Sequence, residues 1–161
     1  SLIAKITSVI DQSVCRMRGK ILEVSNNFFL DMTNKADVYD HLEYVNDKSY
    51  QMHIVKKDGD IVSAGSTGEV QIIAMSFLLA LSQCSGKSTP IVMDTPTTNL
   101  DDVHSQGIER SLKSIPNQVL YLAQPAESTE QFIESVKPIT AKIFFTKHDE
   151  HDNGIIVEVD L

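Results

Sequence analysis

Residues 83–102 read QCSGKSTPIVMDTPTTNLDD, and the fold turns on which half of that stretch belongs to a nucleotide site. The first half contains Gly86-Lys87-Ser88-Thr89, the ending of a phosphate-binding Walker A loop, G-x-x-x-x-G-K-[ST]. Such a loop needs a strand before it and an early glycine that lets the backbone wrap a phosphate. It also needs a helix after it, whose free N–H groups face the anion. Here the early position is Leu81, inside an apolar helical run, and Thr89-Pro90 leads into a strand. The order is helix, loop, strand, the reverse of the requirement. Gly86 is therefore expected to end a helix, with Lys87 a cation near that helix's C-terminus.

The second half carries the chemistry. Pro90-Ile91-Val92-Met93 predicts a short buried strand that delivers Asp94 at its end. A carboxylate there can hold Mg²⁺ through the ion's water shell at a nucleotide's phosphates. Upstream, SAGSTGE (63–69) is a Gly- and Ser-rich loop feeding a helix over about 69–83. That helix is apolar nearly all round, which predicts burial on most sides. Downstream, the acidic start Asp101-Asp102 leads a helix to about Ser114, and 118–122 is a second buried strand. A short helix near 128–136 and strands over 141–146 and 155–159 follow. Before the loop lie two strand-like runs, 41–45 and 50–56, the second closing at Asp58-Gly59. Loops feeding helices and short apolar strands predict an α/β fold, with a mainly parallel core sheet flanked by helices.

Residues 2–30 carry heptads. Ile3, Ile10, Met17 and Val24 repeat every seven residues, as do Val14, Ile21 and Phe28, with Thr7 their polar first member. The two rows form one seam, interrupted only by Gly19. It suits either an amphipathic helix lying on its own domain or the last turns of a coiled coil running into a globular head. The expected division is an arm root over 1–32 and a lobe over 33–161. The chain opens inside the periodic segment without a Met, which reads as a piece of something longer.

Composition narrows the classes. The chain has 161 residues, 42% hydrophobic and 22% charged, with a formal charge of −8, as expected of one soluble domain. That charge argues against this chain alone being a main DNA-gripping surface. Cys15 and Cys84 match no metal or redox spacing and read as reduced thiols in the cytoplasm. The most apolar run, 70–81, is too short and interrupted to span a bilayer, so no membrane partner is expected. His148-Asp149-Glu150-His151-Asp152 is dense in metal ligands, but consecutive residues on a hairpin turn rarely converge on one ion. It reads as a solvated turn.

Asp94-Thr95-Pro96-Thr97-Thr98-Asn99-Leu100-Asp101 looks like the Walker B and D-loop run of ATP-binding-cassette ATPases, especially their SMC-like and double-strand-break-repair branch. In register upstream, Ser66-Thr67-Gly68-Glu69-Val70-Gln71 resembles that branch's signature loop, Ser-x-Gly-Glu-x-Gln. The spacing between the two, with Asp-Thr-Pro in place of the commoner Asp-Glu-Pro, is particularly similar to DndD-type ATPases of DNA phosphorothioate modification. The resemblance covers about 60–125 well.

It implies the C-terminal half of an ABC-type P-loop NTPase head, rooted on a coiled-coil helix, with ATP and Mg²⁺ as cofactors. Asp94 would act within its own head through magnesium. The signature loop, with Ser66, Thr67, Gly68 and Glu69, would cap the γ-phosphate of ATP held by an opposing head. Asn99 and Asp101 would face that head and couple the sites. The implied partners are an N-terminal Walker A lobe of the same protein, a second head, DNA through the complete head, and nuclease or modification-complex subunits.

Three residues depart from the pattern. Thr95 stands where the family places a glutamate that orients or deprotonates water, and a hydroxyl cannot be that base at neutral pH. Gln124 stands near the family's switch histidine and cannot take a proton. Gly65 replaces a leucine before the signature serine. No Walker A loop occurs in the chain. Two functions are therefore expected: a lobe of an ATPase head working on DNA in repair, modification or defence, or a hydrolysis-deficient lobe serving as an ATP-gated dimerisation module. By itself the chain is expected to be inactive.

Overall fold

The computed structural model describes residues 1–63, 65–98, 100–115, 117–148 and 154–159. They form two compact units, Ser1–Ala123 and Gln124–Leu161.

The heptad segment is one helix, α1 (Leu2–Met32). Gly19 leaves it unbroken. The two halves of the seam differ in burial. Ile21, Phe28, Phe29 and Met32 are buried, whereas Ile3, Ile10 and Met17 are 77%, 55% and 46% exposed. The lower turns pack on the unit's other helices, and the upper turns present a bare apolar stripe of the kind a second helix covers in a coiled coil.

Three short strands follow: β1 (Tyr39–Tyr44), β2 (Met52–Lys56) and β3 (Ile61–Val62), all antiparallel. Arg18 clamps α1 to the β1–β2 turn. Its guanidinium lies 4.5 Å from the Tyr44 ring centre and 5.0 Å from that of Tyr50. It also donates to the carbonyls of Asn46, Asp47 and Ser49. Leu42 and Ile54, paired across β1 and β2, are fully buried with Phe29 and Met32. Each such side chain contributes about 1.5–3 kcal/mol by leaving water.

Helix α2 (Thr67–Cys84) starts two residues before the expected position, because Ser66 and Glu69 close a capping box. It lies along α1, where Ile21, Ala80 and Cys84 form a cluster flanked by Val24 and Phe77. By length and hydropathy α2 could pass for a membrane span; here it packs within the unit, with Ile72, Ser76, Leu79 and Ala80 buried. Gly86, at φ 65°, follows the C-cap Ser85 and turns the chain toward β4 (Ile91–Asp94). The Gly-Lys-Ser stretch is thus the helix-to-strand turn expected from the sequence.

Strand β4, helix α3 (Asp102–Leu112) and strand β5 (Val119–Leu122) make one βαβ unit, with β4 and β5 parallel and Asp94 opposite Leu122. Helix α3 crosses α1 at Gly107, where a Cβ would stand 2.6 Å from the Met32 Cα. Gly107→Ala should therefore force the helices apart and cost about 3 kcal/mol, lowering Tm by roughly 10 °C in a thermal melt.

The expected parallel core is present as two strands: among the described residues β4 and β5 pair in parallel, and the other paired strands are antiparallel. Parallel strands need a crossover of a dozen or more residues; connections 45–51 and 57–60 are too short, so those strands form hairpins. One expectation is corrected: α2 and the parallel pair are not buried on most sides. On α2, Val70 is 54% and Leu78 48% exposed; on the parallel pair, Val92 is 58%, Leu120 51% and Leu122 45% exposed.

In the second unit, α4 (Glu130–Val136) is capped by Thr129 and runs into one 3₁₀ turn, Lys137–Ile139. Strands β6 (Ile143–His148) and β7 (Gly154–Val159) then pair antiparallel. The ligand-dense turn falls almost wholly on 149–153, outside the described residues.

Candidate functional site

Alternation along β4 and β5 decides where Asp94 stands. Ile91 and Met93 point inward and are buried; Val92 and Asp94 share the opposite, exposed face with Leu120 and Leu122. Beside Asp94 lies a shallow apolar depression of about 180 Å³, bordered by Gln71, Met75, Leu78, Val92 and Pro96. A lone carboxylate suits Mg²⁺, which is held by one or two carboxylates together with phosphates and water. No cluster of three or more metal-ligating side chains occurs among the described residues.

Thr95 has φ 46°. This left-handed conformation is an outlier for a β-branched residue, of the kind found where surrounding structure over-determines a functional turn. Its N–H donates to the Leu122 carbonyl at 2.8 Å, so the turn out of β4 is pinned to the end of β5. Gln71 pins the same loop from α2, donating to the Pro96 carbonyl at 2.5 Å. The expected signature helix and the Asp94-Thr95-Pro96 turn are in direct contact.

At the start of α2, the Ser66 hydroxyl accepts from the Glu69 N–H at 3.1 Å. The Glu69 carboxylate in turn accepts from the N–H groups of Gly65 (2.8 Å) and Ser66 (3.2 Å). Ser66 and Thr67 are exposed and Gly68 half-exposed, whereas Glu69 is buried. Its other oxygen accepts from Lys35 Nζ at 2.6 Å and the Tyr39 hydroxyl at 2.5 Å. Glu69, expected among the residues that meet the nucleotide, is thus turned inward and shapes the loop. Burial raises its pKa, but the donors from Lys35, Tyr39 and Gly65 outweigh that and hold it at about 2.

That balance sets a pH dependence. The folded value, about 2, lies below the ordinary 4.5, so the stabilisation is complete above about pH 4.5 and is lost as pH falls through 2. Lys35 is half exposed, which screens the pair. Glu69→Gln should cost about 2 kcal/mol at pH 7 and flatten the stability profile between those limits, as measured by urea unfolding.

Asp101 is the N-cap of α3 and accepts from the His104 N–H at 2.9 Å. Its pKa is lowered first by that bond and, against slight burial, by the His104 ring 2.8 Å away and the Asn34 amide at 2.8 Å. Asn99, expected beside it in the D-loop, lies outside the described residues. Gln124 opens the second unit, where its carbonyl accepts from the N–H groups of Glu127 and Ser128. The structure thus joins the Ser66 loop to the Asp94 turn through Gln71, and ties Asp101 to the end of α1. Sequence reasoning missed Asn34, Lys35 and Tyr39, whose site partners lie 30 to 67 positions away.

No family model matches the sequence, and no curated protein does. Solved structures do. One, from work on the structural biochemistry of ATP-driven dimerization and DNA-stimulated activation of SMC ATPases, is 16% identical with TM-score 0.69, covering 93% of this chain and 89% of that one. The Smc head domain with a coiled coil and joint from Pyrococcus yayanosii is 16% identical, with TM-score 0.74 over 99% of this chain. The Smc head domain with an extended coiled coil bound to the C-terminal domain of ScpA, from Pyrococcus furiosus, is 15% identical, with TM-score 0.74 over 98%. The chain spans 30% and 39% of those two Pyrococcus chains. At such identities the likeness is one of fold: the chain folds as part of an SMC head domain does.

Proposed function

We propose that the chain is the C-terminal lobe of an SMC-like ATPase head that binds ATP between two heads and acts on DNA in the cytoplasm. The observation that carries this reading is the unfinished sheet. Parallel sheets are covered on both faces, yet β4 and β5 expose Val92, Leu120 and Leu122 on the very face that carries Asp94. An adjoining lobe with a Walker A loop would cover the apolar residues and bring phosphates to the carboxylate.

In that setting Asp94 would hold Mg²⁺, which would supply charge neutralisation at the phosphates. Ser66, Thr67 and Gly68 would offer a hydroxyl and helix-start N–H groups to ATP on the opposite head. Asn99 and Asp101 would face that head. The ATP-driven dimerization and DNA-stimulated activation named for one structural neighbour fit the same scheme, and the motif spacing favours a DndD-type role in DNA modification. The test is reassembly with a Walker A lobe. Light scattering should show one head becoming two on adding ATP, and no change would overturn the reading.

A second reading, a hydrolysis-deficient lobe that pairs on ATP as a gate, is favoured by Thr95, which offers no base. Glutamate, unbranched at Cβ, fits φ 46° better than threonine does. Thr95→Glu should therefore fold normally and, if a missing base limits turnover, raise phosphate release at least about tenfold.

A further inference from the structure

The head-facing loops assigned above are the Ser66 loop and the Asp101 turn. Both are held by two adjacent residues that no motif includes. Helix α1 ends at Met32 and is capped by Thr33, whose N–H donates to the Phe29 carbonyl at 2.8 Å and whose backbone is extended. Asn34 then donates to Asp101 Oδ2 at 2.8 Å, and Lys35 donates to Glu69 Oε1 at 2.6 Å. Tyr39, its ring stacked on Phe29 at 6.0 Å between centres, adds a hydroxyl to the same Glu69 oxygen.

The end of α1 is itself immobilised against α3. Gly107 lies on the Met32 backbone with no room for a Cβ, and Arg110 donates to the Asp31 carbonyl at 2.9 Å. Charged partners make these hydrogen bonds stronger than neutral ones. A single turn of chain therefore sets the spacing between the two loops.

We infer that Asn34 and Lys35 are positioning residues that fix the signature loop and the D-loop relative to each other for engagement of the opposite head. This rests on the assignment of those loops above. Neither side chain is asked to touch nucleotide: Lys35 acts through Glu69, whose carboxylate gathers the Gly65 and Ser66 N–H groups, and Asn34 acts through Asp101. Arg18 offers an internal contrast, since it also ties α1 to the unit, but at the β1–β2 turn.

The test has two arms. In the chain itself, amide hydrogen exchange at Gly65 and Ser66 should rise about tenfold in Lys35→Met, the scale of one charge-assisted hydrogen bond, and stay near the parent in Lys35→Arg. In the two-lobe head, Lys35→Met and Asn34→Ala should each weaken ATP-driven pairing about tenfold while leaving nucleotide binding unchanged, with Arg at 35 restoring pairing. Tyr39→Phe, which keeps the buried ring, serves if Lys35→Met fails to fold. Arg18→Ala should lower Tm yet leave pairing within about twofold.

Parent-level pairing in Lys35→Met and Tyr39→Phe, or an equal loss in Arg18→Ala, overturns the inference. If Ser66→Arg also leaves pairing intact, the loop assignment itself has failed, and the exchange arm still decides whether Lys35 positions the loop.

Discussion

Asp94→Ala should lower magnesium-dependent ATP hydrolysis by the two-lobe head at least about a hundredfold, with little change in Tm. The small stability effect follows from the alternation of β4. Asp94 projects from the exposed face, whereas Ile91 and Met93 fill the interior. Removing its carboxylate deletes no buried packing and leaves no buried donor unpaired. The large activity effect follows from the chemistry assigned to it, because a lone carboxylate at the end of a parallel strand would be the lobe's hold on the metal. Phosphate release against magnesium concentration is the measurement. A rate equal to the parent's at saturating magnesium would sink the assignment, and a large fall in Tm would show that Asp94 is structural instead.

Ser66→Arg should reduce ATP-driven pairing of heads by about a hundredfold or more, seen as heads that stay single by sizing at ATP concentrations that pair the parent. Two effects combine in this substitution and can be separated. Arginine removes the oxygen that accepts from the Glu69 N–H, a cap contributing about 1 kcal/mol to stability. It also places a long cation on the exposed tip of the loop, where the other head's phosphate would have to approach closely. Ser66→Ala removes only the cap. Pairing should therefore suffer far more in Ser66→Arg than in Ser66→Ala, while both lose similar stability. Equal pairing in all three proteins would mean that this loop does not meet a second head.

Much of the architecture was legible from local pattern. The strand that delivers Asp94, the helix ended by Gly86 and the acidic start of α3 all lie within a residue or two of where the sequence puts them. The capping box that starts α2 was also present, as Ser66 and Glu69 three positions apart. Because the N-cap Ser66 also belongs to the loop's Gly- and Ser-rich run, the apolar periodicity alone places the helix start two residues late. The burial of α2 and of the parallel pair was misjudged for a different reason. Leu78, Val92 and Leu120 are as apolar as core residues, and hydrophobicity does not state whether the covering surface belongs to the same chain.

The sequence by itself determined the helices and all strands but the two-residue β3, their order, and which carboxylates and loops stand at their ends. Those properties arise from residues two to four positions apart: alternation in strands, heptads in α1, caps at helix starts. Tertiary structure decided three other things. It left the Asp94 face of the sheet bare, turned Glu69 inward, and tied Asn34 and Lys35 to both loops. Each depends on contacts between residues far apart in the chain, where the closing geometry of helices and strands selects which side chains meet. No local pattern encodes that selection.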